Sequence, residues 1–295
     1  MHAQDVLEVL DRTAWDAPFT ADEQSRAIGA LEAGRVVCLP HLAFPIAAAE
    51  EKFLAQDALD NSRKNISLDP ATGKCQGAGY AGAELTELAA MLDRYGKATD
   101  GLVRGLYPGY AATLRQARTS FRPAEISGRQ TSPRHDDRRL HVDAFPTRPM
   151  HGQRILRVFN NVAPDGVLRQ WRVGEDFENF ARLYAPKVRA PLPGQFALME
   201  LFGLTKGRRS AYDHLMLGLH DTGKLDDAYQ ARSPHAEVAF APGTTWMYFT
   251  DSVLHAAMSG RCAFEQTFHI PVSAMAHPEK SPLRVLERLT GKALV

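Results

Sequence analysis

The sequence predicts a mainly β fold with flanking helices, an α+β chain in which a sandwich or open barrel of short strands follows an α-rich N-terminal part. Three observations lead there. Apolar residues recur at helical spacing up to residue 106, the period falls to two after residue 112, and the later strands are short and bounded by proline and glycine. The 295 residues, at about 150 per domain, suit either two domains or one large one. We expect one domain over 1–295: about 1–112 α-rich, about 113–275 the β core, about 281–290 a C-terminal helix.

The first helix is signalled by Thr20 followed by Glu23, a capping box, then by the apolar stripe Ala27, Ile28 and Leu31, with Gly34 placed to end it. Val36–Leu39 reads as a short strand. The polar stretch Arg63-Lys64-Asn65-Ile66-Ser67, followed by Pro70 and glycines up to Gly79, reads as a surface loop, with a lid as the alternative. Leu85, Leu88, Leu92, Tyr95, Leu102, Val103 and Leu106 mark a long helix over 84–106, stopped by Tyr107-Pro108-Gly109.

Further on, Leu140, Val142 and Ala144 alternate with His141, Asp143 and Phe145 as in a strand, and residues 154–161 read as a second. Pro242-Gly243 turns the chain into a strand over 245–249, and 262–270 forms another. Leu215 and Leu219 give the Tyr212–Tyr229 stretch helix-like spacing. Ser281-Pro282 caps a last helix carrying Leu283, Leu286 and Leu289.

Composition removes several classes. Hydrophobic residues at 44% and charged residues at 23% are ordinary globular values. The 35 basic and 34 acidic side chains leave a formal charge of +1, which excludes a globally basic binder. Cys38, Cys75 and Cys262 build no disulfide framework and suit a reducing compartment. The acidic start lacks the basic and apolar regions of a secretory signal. The longest uncharged apolar-rich run, 36–49, has 14 residues and is broken by Pro40 and Pro45, short of the ~20 that a spanning helix needs. A cytoplasmic protein is expected, with peripheral membrane contact left open.

His141-Val142-Asp143 is the first candidate for chemistry. On a strand, residues i and i+2 point to the same side, so an imidazole and a carboxylate converge. A second histidine completes a 2-His-1-carboxylate set, which binds iron(II) on one face and leaves the other open. The spacing alone is a weak motif, and the chain holds a second match, His135-Asp136-Asp137, within a charged run that reads as a solvated loop. The partner is sought after the strand at 245–249, where His255 follows a short loop and precedes a return strand. His220, in Leu219-His220-Asp221, is the rival and reads more easily as a packing histidine.

Several segments together carry a resemblance: Ser120-Phe-Arg-Pro, Arg139-Leu-His-Val-Asp-Ala-Phe-Pro146, Arg154-Ile-Leu-Arg-Val-Phe-Asn-Asn161, Tyr212-Asp-His-Leu-Met216, Leu219-His-Asp221 and Glu265-Gln-Thr-Phe268. Over about residues 20–290 the chain resembles the Kdo 3-hydroxylases, iron(II)- and 2-oxoglutarate-dependent dioxygenases acting on the Kdo sugar of lipopolysaccharide. The resemblance implies a double-stranded β-helix (jelly-roll, cupin-like) core. It further implies His141, Asp143 and His255 as iron ligands, 2-oxoglutarate and O2 as co-substrates, and hydroxylation at C3 of Kdo. A Kdo-containing lipid A precursor is then the partner, met at the inner face of the inner membrane.

One position departs from the wider dioxygenase pattern. A basic residue often stands about ten positions after the distal histidine, to pair with the far carboxylate of 2-oxoglutarate; here that position falls at Gln266. Gln266 is expected to hydrogen-bond the carboxylate, and Arg157 to neutralise it. Arg261 is nearer the loop and is the lesser candidate.

Residues 118–172 hold eleven arginines, no lysine and five acidic residues, so this segment is +6 within a chain of +1. A guanidinium fork matches carboxylates bidentately, as a site for two anions beside a metal requires. Arg122 and Arg169 are expected to read the substrate, and Arg129, Arg134, Arg138 and Arg139 to meet lipid phosphates. No recognition-helix or RNA-binding motif accompanies the arginines, so nucleic acid is not the expected partner. The residues themselves leave three other readings: another small-molecule or nucleic-acid dioxygenase, a metal-dependent hydrolase, or a non-catalytic binder of acidic sugars.

Overall fold

The computed structural model describes residues 1–60 and 63–295. Its helices are α1 (Ala3–Val6), α2 (Ala21–Glu32), α3 (Gly82–Leu106), α4 (Phe177–Tyr184), α5 (Gln195–Leu201), α6 (Ala211–Leu225), α7 (Asp227–Arg232) and α8 (Pro282–Thr290). Its strands are β1 (Leu7–Val9), β2 (Val36–Leu39), β3 (Ile66–Leu68), β4 (Cys75–Gln76), β5 (Arg115–Arg122), β6 (Arg154–Asn161), β7 (Arg169–Gly174), β8 (His235–Phe240), β9 (Thr245–Phe249), β10 (His255–Ser259) and β11 (Ala263–Ile270).

The local signals act as physical chemistry requires. Thr20 Oγ1 accepts the Glu23 N–H while the Glu23 carboxylate returns to the Thr20 N–H, closing the box that starts α2. Gly34, at φ +77°, ends it. Ser281 Oγ caps α8, whose first residue is Pro282.

Two sheets face each other. The larger runs β1-β2-β9-β6-β11-β5-β3-β4 and the smaller β10-β7-β8, with every pairing antiparallel except β1 with β2. This is the expected jelly-roll core with helices on its outside. The N-terminal part is less purely helical than its spacing predicts: β1 to β4 all join the large sheet, β2 beside β9 and β3 beside β5. The stretch expected as a loop or lid is thus partly a strand at Ile66–Leu68, while Asn61 and Ser62 lie outside the described residues.

Alternation along each strand sorts the core. Phe159, Trp246 and Tyr248 of the large sheet meet Trp171, Val173, Val238 and Phe240 of the small one between the layers. There the Phe240 and Trp246 rings stack at 4.1 Å. The opposite face of the large sheet, with Leu156, Val158, Met247, Phe249 and Phe268, packs under α2 and the end of α3. α4, α6 and α8 bury a third cluster that includes Val142 and Leu254, the neighbours of two predicted metal ligands. At one end of the inter-sheet space, aromatic residues give way to charged side chains.

Candidate active site

His141 and Asp143 stand on an extended segment that makes one bridge and no regular strand. The bridge is to His255: each backbone N–H donates to the other's carbonyl, at 3.1 and 2.9 Å. One candidate ligand, on a loop, is therefore fixed by the backbone of a second at the head of β10. The loop before His255 is clamped in turn. Asp251 accepts from Arg154 Nε at 2.7 Å and from the Ile155 N–H at 3.2 Å, and Arg154 also donates to Ser252 Oγ at 2.8 Å. Both Arg154 and Asp251 are buried, and the guanidinium lies 3.8 Å above the Phe249 ring. From the same turn, the Thr250 carbonyl accepts the Asp143 N–H at 2.7 Å.

The hydrogen bonds of the imidazoles decide their tautomers. His141 Nδ1 lies 2.7 Å from the Arg139 carbonyl and His255 Nδ1 lies 2.8 Å from the Val253 carbonyl. A carbonyl oxygen only accepts, so Nδ1 carries the proton in each ring and Nε2 keeps its lone pair. Ligand atoms of His141, Asp143 and His255 all lie within 4.8 Å of one another. Burial, with the two rings 4.5 Å apart, pushes the pKa of His141 well down; burial also lowers that of His255. Both are held neutral, the form that coordinates a metal. Burial alone would push the Asp143 carboxyl up, but the Arg157 guanidinium holds it well below the usual carboxylate range. Its Oδ2 is buried without a hydrogen bond, although Arg157 Nη2 lies 3.1 Å away. Two neutral imidazoles and an ionised carboxylate fit a divalent metal.

The cavity over this set is lined by Arg122, Arg157 and Arg169 and by Asp137, Asp143 and Glu265, with Trp171, Phe159 and Ala257 among its apolar walls. Three guanidiniums balance three carboxylates there, so a divalent metal would leave an excess of two positive charges for anions. Arg122 donates twice to Glu265 Oε2, at 3.0 and 2.8 Å, and Arg157 Nη1 lies 3.2 Å from Oε1 of the same residue. Arg169 differs. It is 1% exposed, donates to the Gly260 carbonyl at 3.2 Å, makes no ion pair among the described residues, and leaves Nε unbonded. Burial, reinforced by the nearby Arg122, lowers its guanidinium to about 10, still charged at neutral pH. Gly260, at φ +108°, admits it, since a Cβ there would sit 2.7 Å from the Leu168 carbonyl oxygen and 3.0 Å from Arg169 Cα.

Structure and sequence part at several positions. Gln266 is outside the cavity: its side chain meets Thr119 Oγ1 at 2.5 Å and the Ala117 carbonyl at 3.1 Å, on the face turned to α3. Alternation on β11 puts Glu265 in the cavity and Gln266 behind it. Arg261 pairs with Asp165 at 2.5 Å, away from the lining. The expected lipid-facing arginines are largely committed elsewhere. Arg138 binds Asp136, Arg139 binds Asp227, Arg129 donates to the Glu125 and Ala124 carbonyls, and of the four only Arg134 is exposed. His220 stands beside the set, its ring 5.5 Å from that of His141, with Nδ1 2.9 Å from Asp221.

Three residues escaped sequence reading. Asp137, in the run read as a solvated loop, lines the cavity. Burial opposes ionisation of its carboxyl, but Arg122 and Lys64 hold its pKa down. Glu265 was within the motif yet drew no role; its parity with Arg122 across β11 and β5 is the signal that finds it. Lys224 of α6 is 2% exposed, without an ion pair among the described residues, and burial lowers its ammonium pKa against the pull of Asp137 and Asp143. No local pattern marks it.

The family model for 3-deoxy-D-manno-oct-2-ulosonic acid (Kdo) hydroxylase matches residues 14–293. The chain belongs to the Kdo hydroxylase family. A crystal structure of the Kdo hydroxylase KdoO, a non-heme Fe(II) alphaketoglutarate-dependent dioxygenase in complex with cobalt(II), is 48% identical over 98% of this chain and 97% of that one, with a TM-score of 0.96. Structures of KdoO with alphaketoglutarate and Fe(III), and with succinate and Fe(III), match over the same shares at 48% identity and TM-scores of 0.95. Curated proteins contribute no significant match. For this Kdo hydroxylase family member, the jelly-roll that the resemblance implies is thus also the fold of its relatives.

Proposed function

We propose that this chain binds iron(II) through His141, Asp143 and His255 and, with 2-oxoglutarate and O2, hydroxylates C3 of Kdo on a lipid A precursor. The observation that carries the reading is a buried guanidinium without an ion pair among the described residues, Arg169, in the same cavity as two Nε2 lone pairs and an ionised carboxylate. A charge held without a partner at 1% exposure is costly to the fold unless an anion arrives to pair with it.

Iron(II), 2-oxoglutarate and O2 together replace a C–H bond by C–OH and release succinate and carbon dioxide. The chain supplies position and charge. Arg139 and Val253 carbonyls fix the imidazoles with Nε2 inward. Arg157 keeps Asp143 ionised and has its own Nε buried without a partner, a donor free for the far carboxylate of 2-oxoglutarate. Arg122, held by Glu265, and Arg169 are placed for the sugar carboxylate. Trp171, Phe159 and Ala257 exclude water from the walls. The encounter is placed at the inner face of the inner membrane, where a lipid-linked acceptor is presented. No helix among the described residues is long and apolar enough to cross a membrane.

Anaerobic addition of iron(II) and 2-oxoglutarate should produce the weak visible charge-transfer band of a chelated complex, and admitting O2 should release succinate. Mass spectrometry of lipopolysaccharide from cells with and without the protein should then show one added oxygen on Kdo, located at C3 by fragmentation. Absence of both band and succinate rejects the dioxygenase reading; an unchanged Kdo mass rejects the substrate.

A further inference from the structure

α5 is a seven-residue helix that buries none of its residues, although its sequence is Gln-Phe-Ala-Leu-Met-Glu-Leu. Of the eleven exposed large hydrophobic residues among those described, five fall between 192 and 204: Leu192, Leu198, Leu201, Phe202 and Leu204, from 53% to 76% exposed. Such clustering marks an interaction surface, whereas isolated exposed leucines do not. The segment is nonetheless held at both ends. The Arg189 carbonyl lies 2.7 Å from His214 Nε2, and Val188 packs against Gly218 so closely that a Cβ there would sit 2.5 Å from it. At the far end, the Lys206 N–H donates to the Thr147 carbonyl at 2.8 Å, and the Arg209 guanidinium donates to the Pro146 carbonyl. The apolar side chains therefore project from an anchored platform.

Charge frames the patch. Lys187, Arg189, Lys206, Arg208 and Arg209 flank it, and Glu200 is the single acidic residue between 186 and 210. Arg189, Lys206 and Arg208 make no ion pair among the described residues, unlike Arg134, Arg138 and Arg139. An apolar surface ringed by uncommitted cations is the pattern of an element lying in the interface of an anionic bilayer. A second copy of the chain is the poorer occupant, because a two-fold contact would set these cations against themselves.

We propose that the 187–209 segment docks this protein on an anionic phospholipid surface, with Leu198, Leu201 and Phe202 entering the headgroup boundary. Its hydrogen bonds to Pro146 and Thr147 tie the segment to the loop that carries Asp143. Choosing a lipid over a protein partner rests on reading the acceptor as lipid-linked; the exposure and charge do not.

The test is co-sedimentation with vesicles of phosphatidylethanolamine and phosphatidylglycerol containing no Kdo lipid, across a salt series. The wild type should bind, binding should weaken with salt, and the Leu198→Ser, Leu201→Ser, Phe202→Ser variant should lose about tenfold in bound-to-free ratio. An Arg189→Glu, Arg208→Glu variant should lose binding to a similar degree. Retention of the iron(II)–2-oxoglutarate band shows that each variant is folded. Vesicle binding without any band in the wild type would sink the dioxygenase reading and leave docking intact. A wild type that shows the band but stays with the supernatant overturns docking, as does a lipid-free dimer that the triple variant abolishes.

Discussion

The two oxygens of Asp143 face different partners: Oδ1 lies 3.8 Å from His141 Nε2, and Oδ2 lies 3.1 Å from Arg157 Nη2. The Asp143 carboxylate, a proposed metal ligand, is thereby held ionised by a neighbouring guanidinium, against the burial that would protonate it. Substituting Arg157→Gln should remove that support and weaken metal binding by about 10- to 100-fold, the range for a group that orients and charges a ligand. Titration with cobalt(II) at pH 7 reads this directly. Arg157→Lys should fall between the two, since it restores charge without the fork. Unchanged affinity in Arg157→Gln would show that Asp143 needs no help.

Arg169 brings a full charge into the cavity and spends only one donor on the protein. Replacing it with glutamine should raise KM for the Kdo acceptor by about 10- to 100-fold, as expected for a charge-assisted hydrogen bond worth roughly 1.5–3 kcal/mol. KM for 2-oxoglutarate should move little. A reversed pattern, with the 2-oxoglutarate constant rising, would exchange the roles proposed for Arg157 and Arg169.

Glu265 is shared by Arg122 and Arg157 and is buried. Glu265→Ala should leave the Arg122 guanidinium without its carboxylate and Arg157 with Asp143 alone, and cost about 3–5 kcal/mol of stability, the usual penalty for removing one partner from a buried ion pair. Urea denaturation measures it. Added succinate should recover part of the loss in the variant, by supplying carboxylates to the same guanidiniums. Stability equal to wild type would mean that water already solvates this corner.

What the sequence shows follows the range of each interaction. Thr20 with Glu23, and Ser281 with Pro282, are contacts within one turn, and both helices begin where those residues place them. Strands β6, β9 and β11 are runs of five to eight residues, buried on both faces almost throughout, and are legible as β-type segments. The two residues of β4 and three of β1 offer no period to read, so their place in the large sheet was hidden. His141 and Asp143 are two apart and visible as a motif, whereas Glu265 reaches them only through the pairing of three strands. Counting forward from His255 led to Gln266 because a count ignores parity; on β11 one step decides between cavity and α3. Arg138 and Arg139 read as free cations until Asp136 and the distant Asp227 are placed beside them.

His269, on β11 opposite Arg115 and Ile155, offers a pH test away from the proposed metal ligands. Burial, then the charges of Arg148, Arg157 and Arg115, lower its pKa to about 4, and its Nδ1 is buried without a partner. In the unfolded chain a histidine titrates near 6.5. Above that value neither state binds the proton and His269 adds no pH dependence. As pH falls from about 6.5 to about 4, the unfolded chain takes up the proton first, so stability is lost at up to ~1.4 kcal/mol per pH unit. Below about 4 both states are protonated and this contribution levels off. Other carboxylates also titrate in this range, so the difference between proteins is the measurement. Urea midpoints of wild type and His269→Gln between pH 7.5 and 4.5 should converge or cross as pH falls, because only the wild type carries this loss. Parallel curves would show that His269 is protonated alike in the folded and unfolded chains.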